Sequence, residues 1–71
     1  MEQHDSVVIG AIGVVRRTKK AIYVALDPGL LGARAWFPLS ICWFEEFPGG
    51  GGRVFAPRWF AQKKGYYFEE L

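Results

Sequence analysis

Apolar residues in this chain fall into short runs separated by polar or glycine-proline breaks, a spacing that predicts strands rather than long helices. Ser6 to Val15 (SVVIGAIGVV) is rich in β-branched residues and reads as a long first strand. Gly10 and Gly13 lie inside it and mark a bulge or bend, which would let the strand pair along both edges. A buried helix is the competing reading, and two glycines among β-branched residues count against it. After the polar break Arg16-Arg17-Thr18-Lys19 comes Lys20 to Leu26 (KAIYVAL). Ile22, Val24 and Leu26 fall on one face of this strand and Ala21, Tyr23 and Ala25 on the other. With both faces apolar, it is expected to be central and covered on both sides.

Asp27-Pro28-Gly29 predicts a tight turn, because proline presets φ and glycine accepts the positive φ that follows. A third strand runs from about Ala33 to Phe37, and Pro38, lacking an N–H, ends it or lies at a sheet edge. Ile41 to Phe44 is another short apolar run. Glu45-Glu46-Phe47-Pro48 then leads into Gly49 to Gly52, a connector whose ordering is entropically costly and which is expected to be mobile. A last strand, Arg53-Val54-Phe55, is followed by a short helix over Arg58 to Lys64. Pro57 takes its first position, lysines fill its last turn and Gly65 closes it. Five strands and one helical turn predict a mainly β fold: a small barrel, Src-homology-three-like or OB-like, with one short C-terminal helix. Closure would remove the sheet edges that a short helix could not cover. The expected organisation is a flexible leader over residues 1–5 and one domain over 6–71.

Composition supports a packed domain. Residues are 51% hydrophobic and 17% aromatic with a net charge of only +2, which excludes a disordered tail. A single cysteine, Cys42, excludes an internal disulfide, and its apolar neighbours predict a buried, reduced thiol. The polar, acidic start Met1 to Ser6 lacks the basic flank of a signal peptide, and the apolar stretch after it is too short to span a bilayer. The expectation is a cytoplasmic protein with no membrane partner.

Catalytic chemistry finds no set of residues. The one histidine, His4, lies in the leader, so neither a zinc ligand set nor a base for Ser40 or Cys42 is at hand. Glu45 and Glu46 are adjacent and would point to opposite faces of a strand. Gly49 to Gly52 precede Arg53 and a strand, whereas a phosphate loop precedes lysine and a helix. No enzyme, cofactor or metal site is expected.

Two features carry binding chemistry instead. Arg16, Arg17, Lys19 and Lys20 cluster at the first turn, Lys63 and Lys64 crowd the helix end, and Arg34, Arg53 and Arg58 complete the cations. If the first turn and the helix end share a side, they make a phosphate-attracting patch; otherwise they are a solvated hairpin tip and a helix-dipole partner. The second feature is twelve aromatic rings, more than so small a domain can bury. The adjacent pairs Trp36-Phe37 and Trp43-Phe44 must send one ring to each face of a strand. Of Trp59 and Phe60, one is expected to dock the helix. The candidate binding residues are therefore Arg16, Arg17, Lys19, Lys20, Arg34, Trp36, Trp43, Arg53, Lys63 and Lys64.

Three segments together resemble small uncharacterised proteins of phages and mobile elements. They are Lys20-Ala21-Ile22-Tyr23-Val24, Trp36-Phe37-Pro38-Leu39-Ser40-Ile41, and Val54 to Gly65 with its Trp59-Phe60-Ala61-Gln62-Lys63-Lys64-Gly65 close. The pattern is a K-A-aliphatic strand, a W-x-P-x-S-x-I segment and a W-x-A-x-K-K-G-like helix. The chain departs from it after Ile41, where Cys42-Trp43-Phe44 replaces a polar loop. The resemblance implies a phage or mobile-element origin and brings no activity or site residue with it. Such an origin suggests a module gripping single-stranded nucleic acid by the basic turn and exposed rings. The alternative is an anti-CRISPR-like inhibitor of a host defence complex, docking through aromatics and Glu45-Glu46. A homodimeric structural protein is the third reading.

Overall fold

The computed structural model describes residues 5–26 and 33–70. Its elements are β1 (Ser6–Arg17), β2 (Ala21–Leu26), β3 (Arg34–Pro38), β4 (Trp43–Glu46), β5 (Gly52–Pro57), α1 (Arg58–Lys64) and β6 (Glu69–Glu70). Leader residues 1–4 and the Asp27-Pro28-Gly29 turn lie outside the described residues. The fold is mainly β, as the apolar pattern predicts. Its ladders are antiparallel and follow the path β3-β2-β1-β5-β4, with β6 added to β1.

β1 organises the sheet. Ser6 to Ala11 pair with β5, Val7 and Val8 also pair with β6, and Ala11 to Arg17 pair with β2. Register shifts between Ala11 and Gly13 and between Val14 and Arg16 leave Ile12 and Val15 as extra residues, and both side chains are exposed. These shifts decide which residues face the core. Val7, Ile9 and Ala11 point inward, so strict alternation would turn Val14 outward; the bulge at Ile12 returns Val14 to the core. The second bulge places Arg16 opposite Tyr23.

The core joins Val7, Ile9 and Ala11 of β1 to Ile22 and Val24 of β2, Phe37 of β3, and Val54 and Ala56 of β5. α1 covers it with Phe60 and Ala61. Helix docking therefore falls to Phe60, while Trp59 stays 54% exposed. Cys42 is buried as expected, and its burial pushes the thiol up to about 11, so at neutral pH it is a protonated packing group.

The structure departs from the sequence expectations at several points. No ladder joins β3 to β4 among the described residues, so the path is open where a closed or nearly closed barrel was expected. The connecting turn is stitched back onto the end of β3 by Ile41 N–H and Cys42 N–H, which both donate to the Pro38 carbonyl. β4 then takes its partner from β5. β2 is central, but only its Ile22–Val24 face is fully covered; Ala21, Tyr23 and Ala25 are half-buried. Gly52 belongs to β5, paired with Ala11 and Glu46, and glycine fits there because a Cβ would lie 2.3 Å from the Glu45 carbonyl oxygen. Pro57 caps α1 with extended backbone instead of opening it, and Gly65 ends the helix at φ 77°.

The acidic tail also gains a strand. Glu70 pairs with Val7 and accepts both terminal nitrogens of Arg58, with the Nη2 contact at 2.5 Å. Asp5, placed in the leader by the sequence, accepts the Arg58 Nε at 2.8 Å and its backbone N–H at 2.7 Å. One guanidinium thus ties both ends of the described chain to the helix start. The paired Arg58 holds the Glu70 carboxyl below its usual value.

Candidate nucleic-acid interface

Two of the twelve rings, Phe37 and Phe60, are buried. Trp36, Trp43, Phe47, Trp59 and Tyr67 are exposed, and the others are half-buried. Core volume explains this division: α1 sits close on the sheet, with Ala61 facing a core that includes Ala11, Ala35 and Ala56, and leaves little room for further rings.

Strand register gathers some of these rings with cations. Arg16 of β1 is the partner of Tyr23 of β2, and Tyr23 is the partner of Trp36 of β3. Directly opposed residues share a face, so the three side chains form one row across three adjacent strands, at about 4.8 Å per step. Tyr23 and Trp36 stack, with centroids 4.9 Å apart and planes 29° from parallel. The next row on this face is Gly13, Ala25 and Arg34. Its first two members are small, and a Cβ added at Gly13 would meet nothing within 4 Å. The result is a ring pair beside an open shelf, with Arg16 at one side and Arg34 at the other.

The basic turn adjoins this face through Arg16, whereas Arg17, opposite Ile22, belongs to the other face of the sheet. Thr18 organises the turn: its hydroxyl accepts the N–H groups of Lys20 and Ala21, at 3.2 and 3.0 Å, and donates to the Ala21 carbonyl at 3.1 Å. Such a turn holds Arg16, Arg17, Lys19 and Lys20 on a fixed backbone while leaving their heads in solvent. Among the described residues, the recorded ion pairs engage Arg53 and Arg58 and none of these four cations.

The remaining candidates lie elsewhere. Trp43, 71% exposed, packs on Phe55 at 6.2 Å, on the outer face of β4 and β5. Arg53 on that face bonds Glu45 at 2.6 Å and sits over Phe47 and Phe55. Lys63 and Lys64 end α1, with the Lys64 ammonium 5.8 Å from the Phe60 ring centre. Residue spacing alone did not single out Tyr23, Thr18 or Gly13. The signal for Tyr23 was its place on the outward side of β2, two residues from the basic turn; for Thr18 it was a hydroxyl at the centre of that turn.

Among the described residues no group of three or more histidine, cysteine or acidic side chains is placed to hold a metal ion. No helix among them is long and apolar enough to cross a membrane. No protein-family model, curated protein or solved structure matches the chain.

Proposed function

We propose that this domain is a non-catalytic module that binds single-stranded nucleic acid on the outer face of β1, β2 and β3. The observation that carries the reading is the Arg16–Tyr23–Trp36 row with Arg34 beside it. A base stacks on the exposed Trp36 ring, because every base presents a π-face and stacking needs no particular sequence. Arg16 and Arg34 flank that base and take the phosphates on either side of it. Lys19 and Lys20 extend the positive charge into the turn, and Arg17 adds to its long-range field from the other face. Among the described residues β3 has no ladder partner besides β2, which fits a strand passing over it. The barrel the sequence suggests would be completed across the β3–β4 gap, and the proposed face does not depend on that closure.

Fluorescence anisotropy with labelled oligothymidylate tests the proposal. Affinity should fall with rising salt, the log–log slope growing by about 0.7 for each phosphate contact. Alanine at Arg16, Arg17, Lys19 and Lys20 together should flatten that slope while leaving the melting temperature unchanged. An absence of binding at low salt overturns the proposal.

A second reading, an inhibitor that masks a host defence complex, is favoured by Trp43 at 71% exposure next to Glu45. It predicts a stable complex with such an effector that Trp43→Ala disrupts. Retention of that complex in the variant removes it.

A further inference from the structure

The outer face of β1, β5 and β4 holds a second site with different chemistry. A groove of about 340 Å³ is bordered by the rings of Phe47 and Tyr67, with Val8, Gly10, Arg53 and Glu69 also lining it. Its build follows from register. Val8 lies between Phe55 of β5 and Glu69 of β6, and Gly10 is opposite Arg53, so no side chain fills the place beside Arg53 on β1. The bidentate grip of Arg58 on Glu70 fixes β6, and with it the positions of Glu69 and Tyr67.

Charge separates this groove from the Trp36 face. Arg53 already has its counter-ion, because its Nε donates to Glu45 at 2.6 Å. Its guanidinium is also sandwiched against Phe47 and Phe55, at 5.7 and 5.3 Å from the ring centres. Glu69 is therefore the uncompensated charge of the groove among the described residues, on a protein whose total is +2. Tyr67 beside it is 67% exposed.

We propose that this groove binds an extended segment of a protein partner that carries a lysine or arginine. The aliphatic stem of that residue lies along Phe47 and Tyr67, and its charged head reaches Glu69 while remaining near the electron-rich face of Tyr67. A nucleic-acid strand does not fit here, since its phosphates would meet Glu69. A purely apolar segment would leave that carboxylate covered and unpaired. The inference does not rest on the nucleic-acid reading, which uses the opposite end of β1.

Fluorescence anisotropy with two short labelled peptides, a lysine–proline repeat and a glutamate–proline repeat, tests it on the full chain. Proline keeps both extended and limits the entropy lost on docking. The lysine peptide should bind the more tightly. Its affinity should fall roughly tenfold in Glu69→Lys and less in Glu69→Gln, with Tyr67→Ala also weakening it. Circular dichroism melting of each variant confirms that the fold is retained, and Glu69→Gln preserves the shape of β6 should the lysine variant unfold. Equal binding of the two peptides overturns the proposal, and so does a Glu69→Gln variant that binds the lysine peptide as tightly as the parent. No nucleic acid enters the readout, so its failure and failure of the Trp36 face are distinguishable.

Discussion

The two outer faces of the sheet are made from the same ingredients: an exposed tryptophan, a second ring against it, and arginine. On β1–β2–β3, Trp36 stacks on Tyr23, and Arg16 and Arg34 project beside them. On β1–β5–β4, Trp43 packs on Phe55, and Arg53 is held by Glu45 and two rings. Among the described residues, the difference lies in whether the arginine is already matched. A guanidinium with a carboxylate 2.6 Å away offers a phosphate far less than one in open solvent. Composition cannot separate these faces; register and pairing do.

The strongest way to break the comparison is to damage one face and leave the other. Gly52→Ala should do this, since the added Cβ would lie 2.3 Å from the Glu45 carbonyl and 2.7 Å from Phe44 Cζ. Overpacking against backbone should cost at the upper end of about 1–3 kcal/mol, read by chemical denaturation. Hydrogen exchange should rise first in β4 and β5, with oligothymidylate binding kept by the molecules that remain folded. Equal loosening of β2 and β3 would show that the faces are not separable.

A paired substitution sharpens the comparison at a smaller scale. Trp36→Ala should weaken oligothymidylate binding by about 1–3 kcal/mol, the range for one base-stacking ring, while Trp43→Ala should leave it unchanged in the same titration. Both tryptophans are exposed, so neither change should move the melting temperature far.

The smallest expected effects come from pH. Arg58 depresses the Glu70 carboxyl below its ordinary 4.5, so the stability it contributes is present above that value and is lost as pH falls through the lowered one. Melting at pH below 4.5 should therefore loosen β6, and the Tyr67–Glu69 wall with it, before it disturbs the Arg16 row. At the alkaline end the sign reverses. Burial raises Cys42 to about 11, so its contribution is intact below the ordinary 9.0 and is lost between 9.0 and about 11. Melting temperatures across both ranges check each sign.

Much of this architecture was legible in the chain. The β-branched runs announced β1 and β2, the short Arg53-Val54-Phe55 segment after the glycines announced β5, the interior glycines announced bulging in β1, and Gly65 marked the end of α1. The surplus of rings also followed from length and composition. What escaped were features set by distant contacts. β6 has no strand pattern of its own; Glu69-Glu70 becomes a strand because Val7 and Val8 present a free edge and Arg58 anchors it. The open path between β3 and β4 depends on how the Leu39–Cys42 turn folds onto Pro38, which spacing does not encode. The Arg16–Tyr23–Trp36 row depends on the second bulge, since a one-residue shift in β1 exchanges its two faces.

Backbone amide shift mapping by NMR, with oligothymidylate added at low salt, addresses the central claim most directly. Perturbations should cluster at Gly13, Arg16 to Ala25 and Arg34 to Trp36, and the indole N–H of Trp36 should move while that of Trp43 stays. Perturbations centred on Trp43, Arg53 and Phe55, or spread evenly over the surface, would contradict that claim.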